Sequence, residues 1–383
     1  MTRVSLHFAS LLVFVAALVT IPGPSAAMTG DCDNDGAVTI DELTLIVNIA
    51  LGSAPVTACP PGDINSDGSI TIDEVLAAVG LALTGPLPTA TAPPTPVATA
   101  TAVPGTSSER TWVDASRPTN HNGNYAGAPD RTLRTLIWQP DTAGALPLFV
   151  MAHGFGGLPE KFEAMARSIA DAGFVVAAPA FPLTNENAPG SYLHALQDVA
   201  SQPADVSFVI SKLLEANDAP GDPLEGRILT DQVAVLGHSL GGTTVLALTR
   251  KDCCRDTRVR ASLLFAPGPI NLFNNLFGTD PTDAGPPTLI LQGTKDGTIS
   301  YSVTEQLYTQ IDPPRRFVGI TGADHSDAIE ARSLPLTALQ SVSERAIVAF
   351  LNAMFRGADA ALDSTLATLE AEGNAVHSDG TLP

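Results

Sequence analysis

The pentapeptide Gly237–Gly241, which reads Gly-His-Ser-Leu-Gly, has the residue types and spacing of a serine nucleophile. The apolar run Val233–Leu236 precedes it and the small-residue stretch Gly242–Leu248 follows it, so it lies between a predicted strand and a predicted helix. A G-x-S-x-G turn in that context projects the serine hydroxyl above the sheet. Ser239 is therefore the predicted nucleophile for attack on a carbonyl carbon. The alternative, a Gly- and Ser-rich turn without chemistry, is disfavoured by the flanking strand and helix.

A serine nucleophile needs a general base, and the histidine that serves it follows the serine in chain order in this arrangement. Two histidines, His325 and His377, lie downstream of Ser239. His325 comes just after the predicted strand Arg316–Ile320, whereas His377 lies in a polar tail. His325 is therefore the predicted base.

The base needs an acid that orients its ring. Asp296 follows the predicted strand Thr288–Gln292 and is the predicted acid. The alternative role for Asp296 is that of an Asp-Gly turn residue. Asp324 and Asp327 are rival acids, but a sequence neighbour of His325 rarely orients the ring of that histidine.

The segment His153–Gly157, which reads His-Gly-Phe-Gly-Gly, follows a short apolar strand and matches an oxyanion loop. The predicted donors to an oxyanion are the N–H groups of Phe155 and Leu240. The Phe155 side chain is expected to line an acyl pocket. His153 is predicted to brace the loop, and His238 is predicted to pack beside the serine.

Strand and helix patterns alternate from about residue 109 onward, which predicts an α/β fold with a mostly parallel sheet covered by helices on both faces. We assign residues 109–358 to this catalytic domain and residues 359–383 to a C-terminal tail with a short helical stretch. The segment 266–287 interrupts the alternation and is predicted either as a substrate-binding rim or short lid, or as a packed surface loop. The expected strands are Arg131–Trp138, Leu146–Ala152, Phe174–Ala178, Val233–Leu236, Ala261–Ala266, Thr288–Gln292 and Arg316–Ile320. One helix is expected over Pro159–Asp171, a second begins at Pro203, and the last helix ends with Ala349–Phe355.

Two twelve-residue loops, 32 positions apart, match the calcium loop, with oxygen ligands at positions 1, 3 and 5, glycine at 6 and glutamate at 12. Position 7 supplies a backbone carbonyl, and position 9 is a threonine in both loops. We expect about two calcium ions here, and no cofactor for catalysis. The predicted ligands are Asp31, Asp33, Asp35, Ala37, Thr39 and Glu42 in the first loop, and Asp63, Asn65, Asp67, Ser69, Thr71 and Glu74 in the second.

Each loop leads into one helix and lacks an entering helix, so residues 28–85 resemble a dockerin module. Dockerins usually carry aspartate at position 12, whereas both loops here end in glutamate; calcium binding is expected, and a cohesin-like partner is a weaker implication of the resemblance. Cys32 and Cys59 flank this small domain and are the predicted disulfide. Cys253 and Cys254 are adjacent and are either structural thiols or a vicinal disulfide.

Residues 1–27 have the charged start, short apolar core and small-residue cleavage site of a secretory signal peptide. Residues 86–108 are rich in Pro, Thr and Ala and form a predicted linker. The formal charge of −20 argues against nucleic-acid binding. We expect a monomer without a membrane span that is secreted, extracellular or periplasmic.

From about residue 131 to residue 355 the chain resembles the α/β-hydrolase superfamily, on the strength of the serine pentapeptide, the His153–Gly157 loop and the positions of Asp296 and His325. It is most similar to the group of dienelactone hydrolases, chlorophyllases and platelet-activating-factor acetylhydrolases, with cutinase-like polyesterases further off. Dienelactone hydrolases use a cysteine nucleophile, so Ser239 points to the esterases of that group. The resemblance implies the α/β-hydrolase fold.

The sequence therefore predicts a secreted serine carboxylic ester hydrolase, acting through Ser239, Asp296 and His325 and tethered to a calcium-binding module. Alternatives on the same fold are a cutinase-like polyesterase, a lipase or phospholipase, and a serine peptidase. A different class of protein is also compatible with the two modules: a calcium-dependent binding or assembly protein whose hydrolase domain is inert.

Overall fold

A computed structural model describes two compact units, Met1–Thr101 and Ala102–Pro383. The predicted signal peptide and residues 79–105, which include most of the predicted linker, lie outside the described residues. Among the described residues, no helix is both long enough and apolar enough to cross a membrane. The structure describes residues 29–32, 38, 40–50, 55–65, 67–71, 74–75, 77–78, 106–191, 195–278 and 285–378.

The first unit is built around helix α1 (Ile40–Ala50). Its buried Ile46 and Ile49 pack against a small cluster that includes Cys59 and Ile70. A disulfide joins Cys32 to Cys59, with an S–S distance of 2.02 Å. The disulfide cross-links a small apolar core, to which few side chains of the described residues contribute.

Within the described part of the second unit, nine strands form one sheet in the order β1-β2-β4-β3-β5-β6-β7-β8-β9. The six strands from β4 to β8 in this order are parallel, whereas β1, β2 and β9 pair antiparallel at the two edges. The strands are β1 (Thr106–Asp114), β2 (Arg131–Gln139), β3 (Leu146–Ala152), β4 (Val175–Pro179), β5 (Ile228–His238), β6 (Val259–Phe265), β7 (Thr288–Gly293), β8 (Arg315–Ile320) and β9 (Ala375–Ser378).

Helices cover both faces of this sheet, because the central strands are apolar on both sides and would otherwise expose that surface. Met165, Phe350 and Leu366 belong to the buried cluster on one face. Val209 and Val245 belong to the cluster on the other face. The arrangement is consistent with the α/β-hydrolase fold. The helices are α2 (Glu163–Asp171), α3 (Gln202–Asp218), α4 (Leu240–Arg250), α5 (Ile270–Phe277), α6 (Tyr301–Gln310), α7 (Ala338–Arg356) and α8 (Asp359–Ala371).

The sheet extends beyond the predicted limits of the catalytic domain, 109–358, at both ends. Strand β1 begins at Thr106, so residues 106–108 belong to the sheet and not to the linker. The predicted tail supplies α8 and β9, and β9 pairs with β8 through residues such as His377, which lies opposite Val318. The predicted helix Pro159–Asp171 begins as a 3-10 turn over Pro159–Phe162 before α2. Strands β1 and β9 pair at the two edges of the sheet, and the sequence alone did not assign either of them.

Candidate active site

Ser239 lies at a sharp turn between β5 and α4 with backbone angles φ 54° and ψ −119°. A positive φ is strained for a residue with a side chain, and such strain is concentrated at functional sites. The flanking glycines make the turn possible: a Cβ on Gly237 would lie 2.0 Å from the Gly241 carbonyl oxygen, and one on Gly241 would lie 2.3 Å from the Ala152 oxygen. The Ser239 N–H donates to the Phe265 oxygen at 2.8 Å, which fixes the turn to the neighbouring strand.

Asp296 and His325 follow the adjacent strands β7 and β8, and the structure brings their side chains together. His325 Nδ1 lies 2.8 Å from Asp296 Oδ2, and the Asp296 side chain is fully buried. The other oxygen, Oδ1, accepts the N–H groups of Thr298 and Ile299, both at 2.8 Å. Burial by itself would raise the pKa of Asp296, but the hydrogen bond and charge of His325 and these two amides hold it below its usual range. Asp296 is therefore an ionised carboxylate that is hydrogen-bonded to the His325 ring.

Gln292 supports this pair and was not found from the sequence. Its Nε2 donates to Asp296 Oδ2 at 2.8 Å and to the Ile299 carbonyl at 2.8 Å, while its Oε1 accepts the Thr304 hydroxyl at 2.8 Å. A buried amide at the end of an otherwise apolar strand was the signal that could have identified it, because a buried polar group needs partners.

The rival acids occupy other roles. Asp324 Oδ1 accepts the main-chain N–H of His325 at 2.7 Å and that of Gly297 at 3.0 Å, so it holds the loop and not the ring. Asp327 Oδ2 lies 3.4 Å from the Asp324 N–H. Among the described residues, no hydrogen bond joins the Ser239 and His325 side chains.

The predicted oxyanion loop lies directly beside Ser239. A Cβ on Gly154 would be 2.9 Å from the Ser239 Cβ, so this close approach requires glycine. Leu240 is the first residue of α4, and an N–H in the first turn of a helix has no acceptor within that helix. Phe155 is half-buried at the turn of the loop. The structure thus places both predicted donors on segments that flank Ser239.

His153 is buried and held at both ring nitrogens. Nε2 lies 3.0 Å from the Phe181 N–H and accepts it, while Nδ1 lies 2.7 Å from the Gly154 carbonyl oxygen and donates to it. Burial lowers the pKa of His153 to about 4, so the ring is neutral. The histidine thus fixes the backbone of the His153–Gly157 loop.

Residues 113–285, less than half of the chain, match the family model of chlorophyllase. The match confirms the predicted class of enzyme, a carboxylic ester hydrolase. It includes Ser239 and the oxyanion loop and ends before Asp296 and His325.

No curated protein has a sequence that matches the chain. Among solved structures, the ferulic acid esterase from Streptomyces cinnamoneus is similar, with a TM-score of 0.49 and 18% sequence identity, covering 68% of this chain and 92% of that one.

The second predicted calcium loop is the better described of the two, since Asp33, Asp35, Ala37 and Thr39 of the first loop lie outside the described residues. Hydrogen bonds within the loop engage the side-chain oxygens of Asp63, Asn65, Asp67 and Glu74, the last residue of the loop. Asp63 Oδ2 accepts the N–H of Gly68 at 2.8 Å, and Glu74 Oε2 accepts that of Thr71 at 2.8 Å. In the first loop, Glu42 Oε1 likewise accepts the Cys32 N–H at 2.7 Å. Within the described residues, no three His, Cys, Asp or Glu side chains form a group that could hold a metal ion.

The adjacent cysteines, whose state the sequence left open, form a vicinal disulfide. Cys253 and Cys254 are joined in the turn after α4, with Cα atoms 3.8 Å apart. Neither is a free thiol.

Proposed function

We propose that the chain is a secreted serine carboxylic ester hydrolase that uses Ser239, His325 and Asp296 through an acyl-enzyme. The observation that carries this proposal is the buried Asp296 carboxylate, 2.8 Å from His325 Nδ1, in the loops after β7 and β8 of the same sheet whose strand β5 presents a strained Ser239. An acid, a base and a nucleophile in this chain order fit acyl transfer.

In the proposed reaction, His325 Nε2 accepts the Ser239 proton as Oγ attacks the ester carbonyl carbon. The N–H groups of Phe155 and Leu240 stabilise the oxyanion that forms. His325 then gives its proton to the leaving alkoxide, the C–O bond breaks and the acyl group stays on Oγ. Water, deprotonated by His325, attacks the acyl carbon; the bond from that carbon to Oγ breaks, His325 returns its proton to Ser239, and the carboxylic acid is released. Asp296 keeps the His325 proton on Nδ1 throughout and stabilises the imidazolium.

The N-terminal unit is proposed as a calcium-stabilised accessory module. Carboxylate, amide and carbonyl oxygens are the ligands that Ca²⁺ prefers, and Asp63, Asn65, Asp67, the Ser69 carbonyl and Glu74 carry such oxygens. Calcium would have to draw them together from their present hydrogen bonds within the loop. Bound calcium would offset the mutual repulsion of an acidic segment that has no Lys or Arg between residues 28 and 85. A cohesin-like partner and export by residues 1–27 belong to the same proposal.

The function is tested with p-nitrophenyl esters from acetate to palmitate, using wild type and Ser239→Ala. We expect turnover to be abolished in Ser239→Ala and retained in Ser300→Ala, a matched control at an exposed serine. A fluorophosphonate label mapped to Ser239 by mass spectrometry identifies the nucleophile independently. Turnover that persists in Ser239→Ala contradicts the mechanism, and absence of turnover on every ester favours an inert hydrolase domain.

The calcium module is tested separately by calorimetric titration of the full mature chain with CaCl₂. We expect Glu74→Gln to weaken binding and Glu215→Gln, at an exposed position in the catalytic unit, to leave it unchanged. Because the proposed chemistry uses no metal, chelation should not lower ester turnover. A titration without heat of binding in wild type would contradict the calcium proposal while leaving the esterase proposal intact.

A further inference from the structure

The His238 side chain links the nucleophile turn to the loop that carries His325. It is the last residue of β5, directly before Ser239, and its side chain is 3% exposed. Its Nε2 lies 3.0 Å from the main-chain carbonyl oxygen of His325, and the two imidazole centroids are 4.9 Å apart. A residue expected only to pack thus contacts the proposed base through both its ring face and a hydrogen bond.

The direction of this hydrogen bond fixes the protonation of His238. A carbonyl oxygen can only accept, so Nε2 carries the proton and donates it. The other nitrogen, Nδ1, is buried without a hydrogen-bond partner, and Glu330 Oε1 at 3.7 Å is beyond hydrogen-bond distance. Burial, and then the nearby His325, lower the pKa of His238 to about 3. The ring is therefore neutral, with its single proton directed at the His325 main chain.

The other contacts that hold His325 come from a different part of the site. Asp296 binds its Nδ1 and Asp324 accepts its main-chain N–H at 2.7 Å. Asp324 also accepts the N–H of Gly297, so both carboxylates tie His325 to the loop after β7. The bond from His238, in contrast, ties His325 to the strand that presents Ser239. It therefore acts directly on the separation between base and nucleophile.

We propose that His238 is a positioning residue for the reaction: its Nε2–H bond to the His325 carbonyl sets the distance between the His325 ring and the Ser239 hydroxyl. This inference rests on the proposed function of Ser239 and His325. A displacement of about 1 Å in a catalytic group can cost roughly 10²-fold in rate, so loss of this bond is expected to lower kcat by that order.

The test compares two amide variants of similar polarity. In His238→Gln the side-chain N–H₂ reaches the position of Nε2 and can donate to the His325 carbonyl, whereas in His238→Asn it reaches only the position of Nδ1. We expect His238→Asn to lose roughly 10²-fold in kcat with KM changed less than about threefold, and His238→Gln to recover to within roughly fivefold of wild type. His238→Met, which fills the space without a donor, stands in for the Asn variant if that protein does not fold.

Measurements of kcat and KM on p-nitrophenyl butyrate are combined with melting temperatures and with the rate of Ser239 labelling by a fluorophosphonate. If His238→Gln recovers activity although its melting temperature is no higher than that of His238→Asn, the positioning role is supported. With a purely packing role, activity would follow the melting temperature and not the presence of the N–H donor. Equal activity of Gln, Asn and wild type, or equal loss in Gln and Asn, overturns the inference. Ser239→Ala in the same assay separates the two proposals, since activity that survives it removes the proposed function itself.

Discussion

Replacing Asp296 with asparagine should reverse the tautomer of His325 while leaving the fold in place. Oδ1 accepts two main-chain N–H groups, from Thr298 and Ile299, so the asparagine must keep its oxygen there. The amide nitrogen then occupies the Oδ2 position and points its hydrogens at His325 Nδ1. That nitrogen must become an acceptor, which moves the imidazole proton to Nε2. In that tautomer His325 cannot accept the Ser239 proton.

The size of the loss follows from the same contacts. Gln292 cannot relieve the conflict at Oδ2 by rotating its amide, because its Nε2 also donates to Ile299 and its Oε1 accepts from Thr304. The tautomer is therefore held in the wrong state, for which a loss of about 10⁴-fold in kcat is typical. Each factor of ten corresponds to about 1.4 kcal/mol, so the lost stabilisation of the transition state is about 5.5 kcal/mol.

The assay is steady-state hydrolysis of a p-nitrophenyl ester at neutral pH, with Asp324→Asn as the matched control. The asparagine at 324 keeps an oxygen for the N–H groups of His325 and Gly297, both of which bond to the same Oδ1, and its loss should stay within about tenfold. Asp296→Asn within tenfold of wild type, or Asp324→Asn as inactive as Asp296→Asn, would refute Asp296 as the orienting acid.

Two further predictions concern the scaffold. Gly241→Ala places a Cβ 2.3 Å from the Ala152 carbonyl oxygen, so the backbone must shift and we expect a loss of about 3 kcal/mol or more in unfolding free energy, measured by urea denaturation. Gly297→Ala, where nothing lies within 4 Å of the added atom, should cost less than about 1 kcal/mol, and equal losses would contradict the steric argument. Asp256 is buried, which opposes ionisation, but hydrogen bonds from Arg258 hold its pKa below the usual value of 3.8. Its stabilising effect is therefore present above about pH 5 and is lost as the pH falls through the lowered pKa. The difference in unfolding free energy between wild type and Asp256→Asn should thus become smaller in acid, and a difference that becomes larger would contradict this prediction.

Sequence reasoning located the site elements that depend on local backbone geometry. The turn at Ser239 demands glycine at Gly237 and Gly241, because a Cβ at either position would meet main-chain atoms. Such a steric requirement leaves a mark in the sequence at fixed spacing. The strands before Asp296 and His325 are short, and most of their residues are apolar. The ends of both strands could therefore be predicted from the sequence, and with them the positions of the two side chains.

Contacts between distant segments could not be predicted in the same way. The hydrogen bond from His238 to His325 joins residues 87 positions apart, and nothing in either local sequence specifies it. Strand β9 is four residues long and pairs at the edge of the sheet, so its assignment depends on β8 being available beside it. Pairing across the sheet is a property of the fold, and one sequence carries it only weakly.

Hydrogen bonds to main-chain groups hold the residues of the site in place. Phe265 fixes the Ser239 N–H, and the amides of Thr298 and Ile299 fix the Asp296 carboxylate. The His325 main chain is held by His238, at the end of β5, and by the adjacent Asp324. Main-chain donors and acceptors stay in place whatever side chains surround them, whereas the positions that do not bond to them are free to vary. In the proposed mechanism, the reacting groups are thus held at the ends of β5, β7 and β8.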